Sequence, residues 1–222
     1  MPHPVARTQL TLAACLCVVM LAGVALVRAE SHTAVRLTFD AAHIVSPAVR
    51  ANAIKEAARI WQRYDVSLLA DDDGQCLSAG AAGVTVTIDV GHDPASGAAG
   101  LGAIQFASDG TPASDIVLNY DAVKRIATSA PFMGLHPALW PAGLREEIVA
   151  RALGRVLAHE IGHYLLRSPH HTSSGLMQAR HKGSMLGSPN DRGFELTKTD
   201  RDRLRVVLAS PMQPECPVLA TR

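Results

Sequence analysis

Residues 35–39, Val-Arg-Leu-Thr-Phe, alternate apolar and polar side chains with the period of two expected of a half-buried strand. Pro47 then opens a stretch in which Val49, Ala53, Ile54, Ala57, Ala58, Ile60 and Trp61 recur at helical spacing. With Arg and Lys on the other side, this predicts a helix to about residue 64. A short apolar run at 66–69 ends in Asp71-Asp72-Asp73-Gly74, and alternation returns at 84–90. Beyond a Gly-rich stretch, further strands are predicted at 101–106 and 116–120, joined through the turn Asp109-Gly110-Thr111-Pro112. From Leu144 the period changes: Ile148, Val149, Leu153, Val156, Leu157, Ile161, Tyr164 and Leu165 follow every three or four residues. That spacing predicts an amphipathic helix of about 24 residues, stopping before Pro169. Residues 168–192, rich in Gly, Ser, Pro and His, read as loop; Thr197 or Thr199 caps a last helix that buries Leu204, Val207 and Leu208. No internal repeat or long linker divides the chain.

The first residues change the picture. Residues 10–27 carry no charge, follow Arg7 and lead into Val27-Arg28-Ala29, a small-residue cleavage pattern, so residues 1–29 read as a secretory signal. The alternative is an uncleaved anchor at 10–27, a run at the lower edge of bilayer-spanning length. Either way the remainder, 30–222, is expected as one domain that is secreted or periplasmic, attached to a membrane only if the segment stays. The chain is 48% apolar, enough for a sizeable core. Removing Arg7 and Arg28 lowers Lys+Arg from 21 to 19 against 20 Asp+Glu, leaving a net charge of −1. A near-neutral chain has no electrostatic reason to bind nucleic acid or an anionic membrane. Cys15 and Cys17 leave with the signal, so Cys76 and Cys216 remain as a possible disulfide or as two free thiols. Three adjacent acids at Asp71 to Asp73 lack the alternate spacing of a calcium loop and read as a solvated turn.

Candidate chemistry concentrates in His159-Glu160-Ile161-Gly162-His163 and the histidines after it. On a helix, His159 and His163 lie on one face with Cα atoms about 6 Å apart, close enough for both imidazoles to reach one ion. Glu160, beside the first of them, can reach a water on that ion without being a ligand. Zinc lowers the pKa of such a water from about 15.7 towards about 7, and a neighbouring carboxylate takes its proton during attack on a carbonyl. A catalytic zinc site needs a third protein ligand and an open fourth position. The helix itself is expected to turn these three residues away from its densest apolar stripe.

This stretch, with Gly175-Leu176-Met177 beyond it, resembles the metzincin zinc metallopeptidases, most closely the catalytic domains of matrix metalloproteinases. The resemblance rests on about twenty residues and extends more weakly to the order of elements. It implies an α+β fold: a twisted, mostly parallel sheet with an antiparallel edge strand, a backing helix, the long zinc-binding helix, a methionine turn at Met177 and a C-terminal helix. It implies one catalytic Zn2+, Glu160 as general base, a peptide or protein substrate, and an extended peptide pairing with the edge strand at 101–106. Loops 125–141 and 184–194 would then set specificity. The chain departs from the family where a glycine ends the helix, here Leu166, and where the third ligand follows, here Pro169. Without that glycine the helix is expected to run on for part of a turn. His171 is then the expected third ligand, with His170 as alternative and His181 in reserve; Met185 is a rival to Met177. The short interval between 1–29 and the first strand leaves no room for an inhibitory prodomain.

Two other readings use the same residues. In a thermolysin-like peptidase Glu195 is the third ligand, and in a zinc-stabilised binding protein the ion holds the fold without hydrolysis.

Overall fold

The alternating segments form strands and the segments of helical period form helices. The computed structural model describes residues 33–40, 45–71, 82–89, 100–190 and 192–209. The signal or anchor reading of 1–29 and the Cys76–Cys216 pairing fall outside the described residues. Every element below lies in the unit His32–Arg222. Five strands, β1 (Thr33–Asp40), β2 (Val66–Asp71), β3 (Ala82–Asp89), β4 (Gly102–Phe106) and β5 (Pro112–Asn119), make one sheet in the order β2-β1-β3-β5-β4. All neighbours are parallel except β4, which runs antiparallel to β5 along one edge. Val35, Leu37, Val84, Val86, Ile88, Ile116 and Leu118 are all buried, and in the parallel register Phe39 lies beside Val86, itself beside Ile116. Burial of alternate β-branched and leucine side chains fixes this register, because a slip of one residue would turn the row towards solvent.

Helix α1 (Pro47–Trp61) starts where Ser46 Oγ accepts the Val49 N–H and Pro47 fills the first position. It backs onto the long helix α3 (Ala142–Leu166), and the Trp61 indole N–H donates to the Ala158 carbonyl at 3.1 Å. Helix α3 is amphipathic only in its first turns. From Ile148 to Leu166 nearly every residue is buried, Arg155, Glu160 and His163 included. The helix threads between α1, α2, α4, α5 and strands β4 and β5, so burial extends beyond one apolar stripe, and lying off that stripe does not take Glu160 and His163 out of the interior.

Two short helices stand where loop was expected. Helix α2 (Tyr120–Ala127), overlapping the start of 125–141, is capped by Asn119 Oδ1 accepting from the Ala122 N–H at 2.9 Å. Helix α4 (Gly183–Gly187) is a single turn inside 168–192. The last helix, α5 (Lys198–Leu208), takes Thr197 as its cap: Thr197 Oγ1 accepts from the Asp200 N–H and donates to Asp200 Oδ2. No helix among the described residues is long and apolar enough to cross a membrane.

Candidate metal centre

The C-terminal end of α3 sets the geometry. Leu166 stays helical and the left-handed residue comes one position later, at Arg167 with φ 47°. The Ser168 N–H returns to the His163 carbonyl at 3.2 Å, the six-to-one closure that usually employs glycine. Arginine therefore makes the left-handed turn one residue beyond Leu166, after the short run-on expected without the glycine, at a steric cost of about 1 kcal/mol.

After this displaced turn the chain brings His171 back over the helix. Its ring stacks on His159 with centroids 5.2 Å apart and meets His163 edge-on at 4.9 Å. One ring nitrogen each from His159, His163 and His171 lie within 4.8 Å of one another. His170 is exposed and stands outside the group.

The second nitrogens of the two helical histidines are anchored to backbone. His159 Nδ1 donates to the Leu176 carbonyl at 2.7 Å, and His163 Nδ1 donates to the Ser168 carbonyl at 2.6 Å. A carbonyl oxygen only accepts, so both protons sit on Nδ1 and each Nε2 presents a lone pair. These two Nε2 atoms are 3.1 Å apart. Facing lone pairs at that distance repel, unless a cation lies between them. A tetrahedral ion with bonds of about 2.0–2.1 Å holds its ligand atoms about 3.3 Å apart, so the spacing of this pair and the all-imidazole donor set fit zinc.

Met177 is buried beneath the helix, against Gly162. A Cβ on Gly162 would overlap Met177 Sδ and come within 3.5 Å of Trp61. The turn carrying Met177 is fixed at Leu176 on both sides of its peptide plane pair: the Leu176 N–H donates to the Glu195 carbonyl at 2.8 Å, while the Leu176 carbonyl holds His159. Gly162→Ala should therefore destabilise the fold by roughly 1–3 kcal/mol despite alanine's better helix propensity. A rise in the urea midpoint would show that Met177 moves aside freely.

The carboxyl of Glu160 is buried beside His159, and burial raises its pKa to about 8 in the metal-free protein. Burial likewise lowers the pKa of His159 to about 3, with His163 moved the same way. Glu160, His159 and His171 line a cavity of about 490 Å3 whose apolar walls include Leu101, Ile126, Val156 and Leu186.

Glu195 does not join the group. Its side chain is 60% exposed and approaches Arg63 at 3.6 Å, which corrects the thermolysin-like assignment. His181 stacks on Phe194 and meets His159 edge-on with centroids 6.4 Å apart, and it too stays outside the ligand group. Met185 is half-buried, with its methyl beside Gly193 and its carbonyl accepting from Arg155. Tyr164 packs against the core.

Three contributors are not evident in the sequence. The carbonyls of Leu176 and Ser168 carry no side-chain signature. Gly102 has one, because glycine inside a strand marks close approach of another group. Here a Cβ would lie 2.8 Å from Glu160 Cγ and Oε1.

No protein-family model matches the chain, and no curated protein matches it. Among solved structures it is similar to archaemetzincin from Methanopyrus kandleri, with 14% identity and a TM-score of 0.50 over 83% of this chain and 100% of that one. Likeness at this identity speaks for the fold, which is mixed α+β and metzincin-like: a five-stranded, mostly parallel sheet with an antiparallel edge, backed by helices. On that fold lies a group of three histidines, His159, His163 and His171, able to hold a metal ion.

Proposed function

We propose that this protein is an exported zinc-dependent endopeptidase whose active-site frame is that of a matrix metalloproteinase-like metzincin. The observation that carries the reading is the convergence of His159, His163 and His171, with two of the rings locked by backbone carbonyls beside a buried glutamate. His159, His163 and His171 would hold one Zn2+, which supplies Lewis acidity: it acidifies a water and polarises a carbonyl.

Glu160 is the general base, accepting the proton lost by the attacking water and returning it to the leaving amine nitrogen. Burial makes its carboxylate a stronger base than a solvated one in the metal-free protein, and a bound dication would act in the opposite direction. The outer edge of β4 has no strand neighbour among the described residues, so an extended substrate can add to it as a further strand. The substrate is a peptide or protein. Export follows from reading 1–29 as a cleaved signal.

Metal content per chain tests the site. About one zinc is expected in the purified wild type, lost in His159→Ala, His163→Ala and His171→Ala and kept in His170→Ala, each variant being checked for folding. A folded wild type without tightly bound metal would sink the proposal. Retention of zinc in His171→Ala with loss in His170→Ala would move the third ligand.

A further inference from the structure

We propose that Gly102 is the positioning residue for the Glu160 carboxylate, so that the substrate-bearing edge strand also sets where the general base stands; this rests on the peptidase reading above. Gly102 is the first residue of β4, and its neighbour Leu101 is tied to β5 by the Asn119 N–H at 2.9 Å. The Gly102 α-carbon faces α3 closely. A Cβ there would meet Glu160 Cγ at 2.8 Å, Glu160 Oε1 at 2.8 Å and Val156 Cγ1 at 2.9 Å. Real side chains do not approach so near, so the carboxylate stands in space that only glycine leaves open.

Two features direct this constraint at the base. Gly102 has no positive φ, so its backbone accepts alanine without strain. The atoms in the way are also side-chain atoms, and the carboxylate end of Glu160 is the one that can rotate. An added methyl therefore crowds both Glu160 and Val156, and the carboxylate is the group with the most freedom to give way. Gly102 and Glu160 line both the 490 Å3 cavity and a 190 Å3 cavity that Phe106 and His163 also line. A displaced carboxylate therefore stands differently towards the histidines that share those cavities.

Kinetics and a stability cycle together decide the matter. In the zinc-loaded protein, Gly102→Ala should lower kcat by about 10²-fold, the cost of misplacing a catalytic group by about 1 Å, with KM changed less than about threefold and zinc content unchanged. Gly102→Ala/Val156→Ala, which frees room on one side of the new methyl, should recover part of that loss. In the metal-free protein, Gly102→Ala should lower Tm by roughly 2–6 °C in the wild-type background and by much less in a Glu160→Ala background, where the crowded side chain is gone. Equal Tm shifts in the two backgrounds, or a kcat within twofold of wild type, would overturn the proposal. A wild type that binds zinc and cleaves no peptide would overturn the peptidase reading, while the cycle would still report whether Gly102 places Glu160.

Discussion

Glu160→Gln should lower kcat by about 10²–10⁴-fold while zinc content stays at the wild-type level. Glutamine keeps the size of the side chain and removes only its capacity to take a proton. The three histidines, the Leu176 and Ser168 carbonyls and Met177 are untouched, so the ion's surroundings persist. A variant that keeps both zinc and wild-type turnover would refute the general-base role of Glu160.

The same substitution has an opposite effect on the metal-free fold. Burial raises the Glu160 pKa from its ordinary 4.5 to about 8, so the folded state holds this proton more tightly than the unfolded state does. Stability is then greatest below pH 4.5 and falls as pH rises through about 8. Glutamine has no proton to lose. Metal-free Glu160→Gln should exceed metal-free wild type at pH 9 by on the order of 3–5 kcal/mol, with the gap closing towards pH 4.5. His159, whose pKa is lowered to about 3, costs stability as pH falls below its ordinary 6.5, but it does so in both proteins and cancels from the difference. Chemical denaturation of both proteins in chelator, at several pH values, reads the effect directly. A difference independent of pH would mean that Glu160 is solvated in the metal-free protein.

Legibility from sequence follows the range of the interaction. The four-residue spacing of His159 and His163 is a property of one helix, and periodicity alone brings out the segments that form α1, the ends of α3 and most strands. The parallel pairing of β1 with both β2 and β3 is not local, and alternation says nothing about a strand's neighbours. Helix α2 was hidden by its length, although Asn119 followed by Asp121 is a start signal. The placement of His171 depends on a left-handed arginine, which propensity argues against. Arg155 was the least legible of all: on periodicity it belongs to the polar face of a helix, and in the fold its side chain is 0% exposed. Its partners come from three distant segments.

Those partners predict the second large effect: Arg155→Met should cost roughly 3–5 kcal/mol by urea denaturation at pH 7. The guanidinium bonds Glu56 Oε1 at 2.9 Å, the Leu186 and Asn190 carbonyls at 3.2 Å each and the Met185 carbonyl, and it lies against the Phe194 ring. Methionine replaces the buried stem but satisfies none of these acceptors. Burial alone would raise the Glu56 pKa, yet the charges and hydrogen bonds of Arg59 and Arg155 outweigh it and hold the carboxyl below its usual 4.5. Stability from this pairing is therefore present above pH 4.5 and is lost as pH falls through the lowered folded value. The gap between wild type and Arg155→Met should narrow in that acid range. Arg155 also ties α4 and the segment through Phe194 to α3, and Leu186 in that tie walls the cavity beside Glu160. Substrate KM should rise in the variant even where most molecules remain folded. A loss under about 1 kcal/mol, the size of a surface ion pair, would mean that water reaches these acceptors and that Arg155 is not the tie holding the far wall of the cleft.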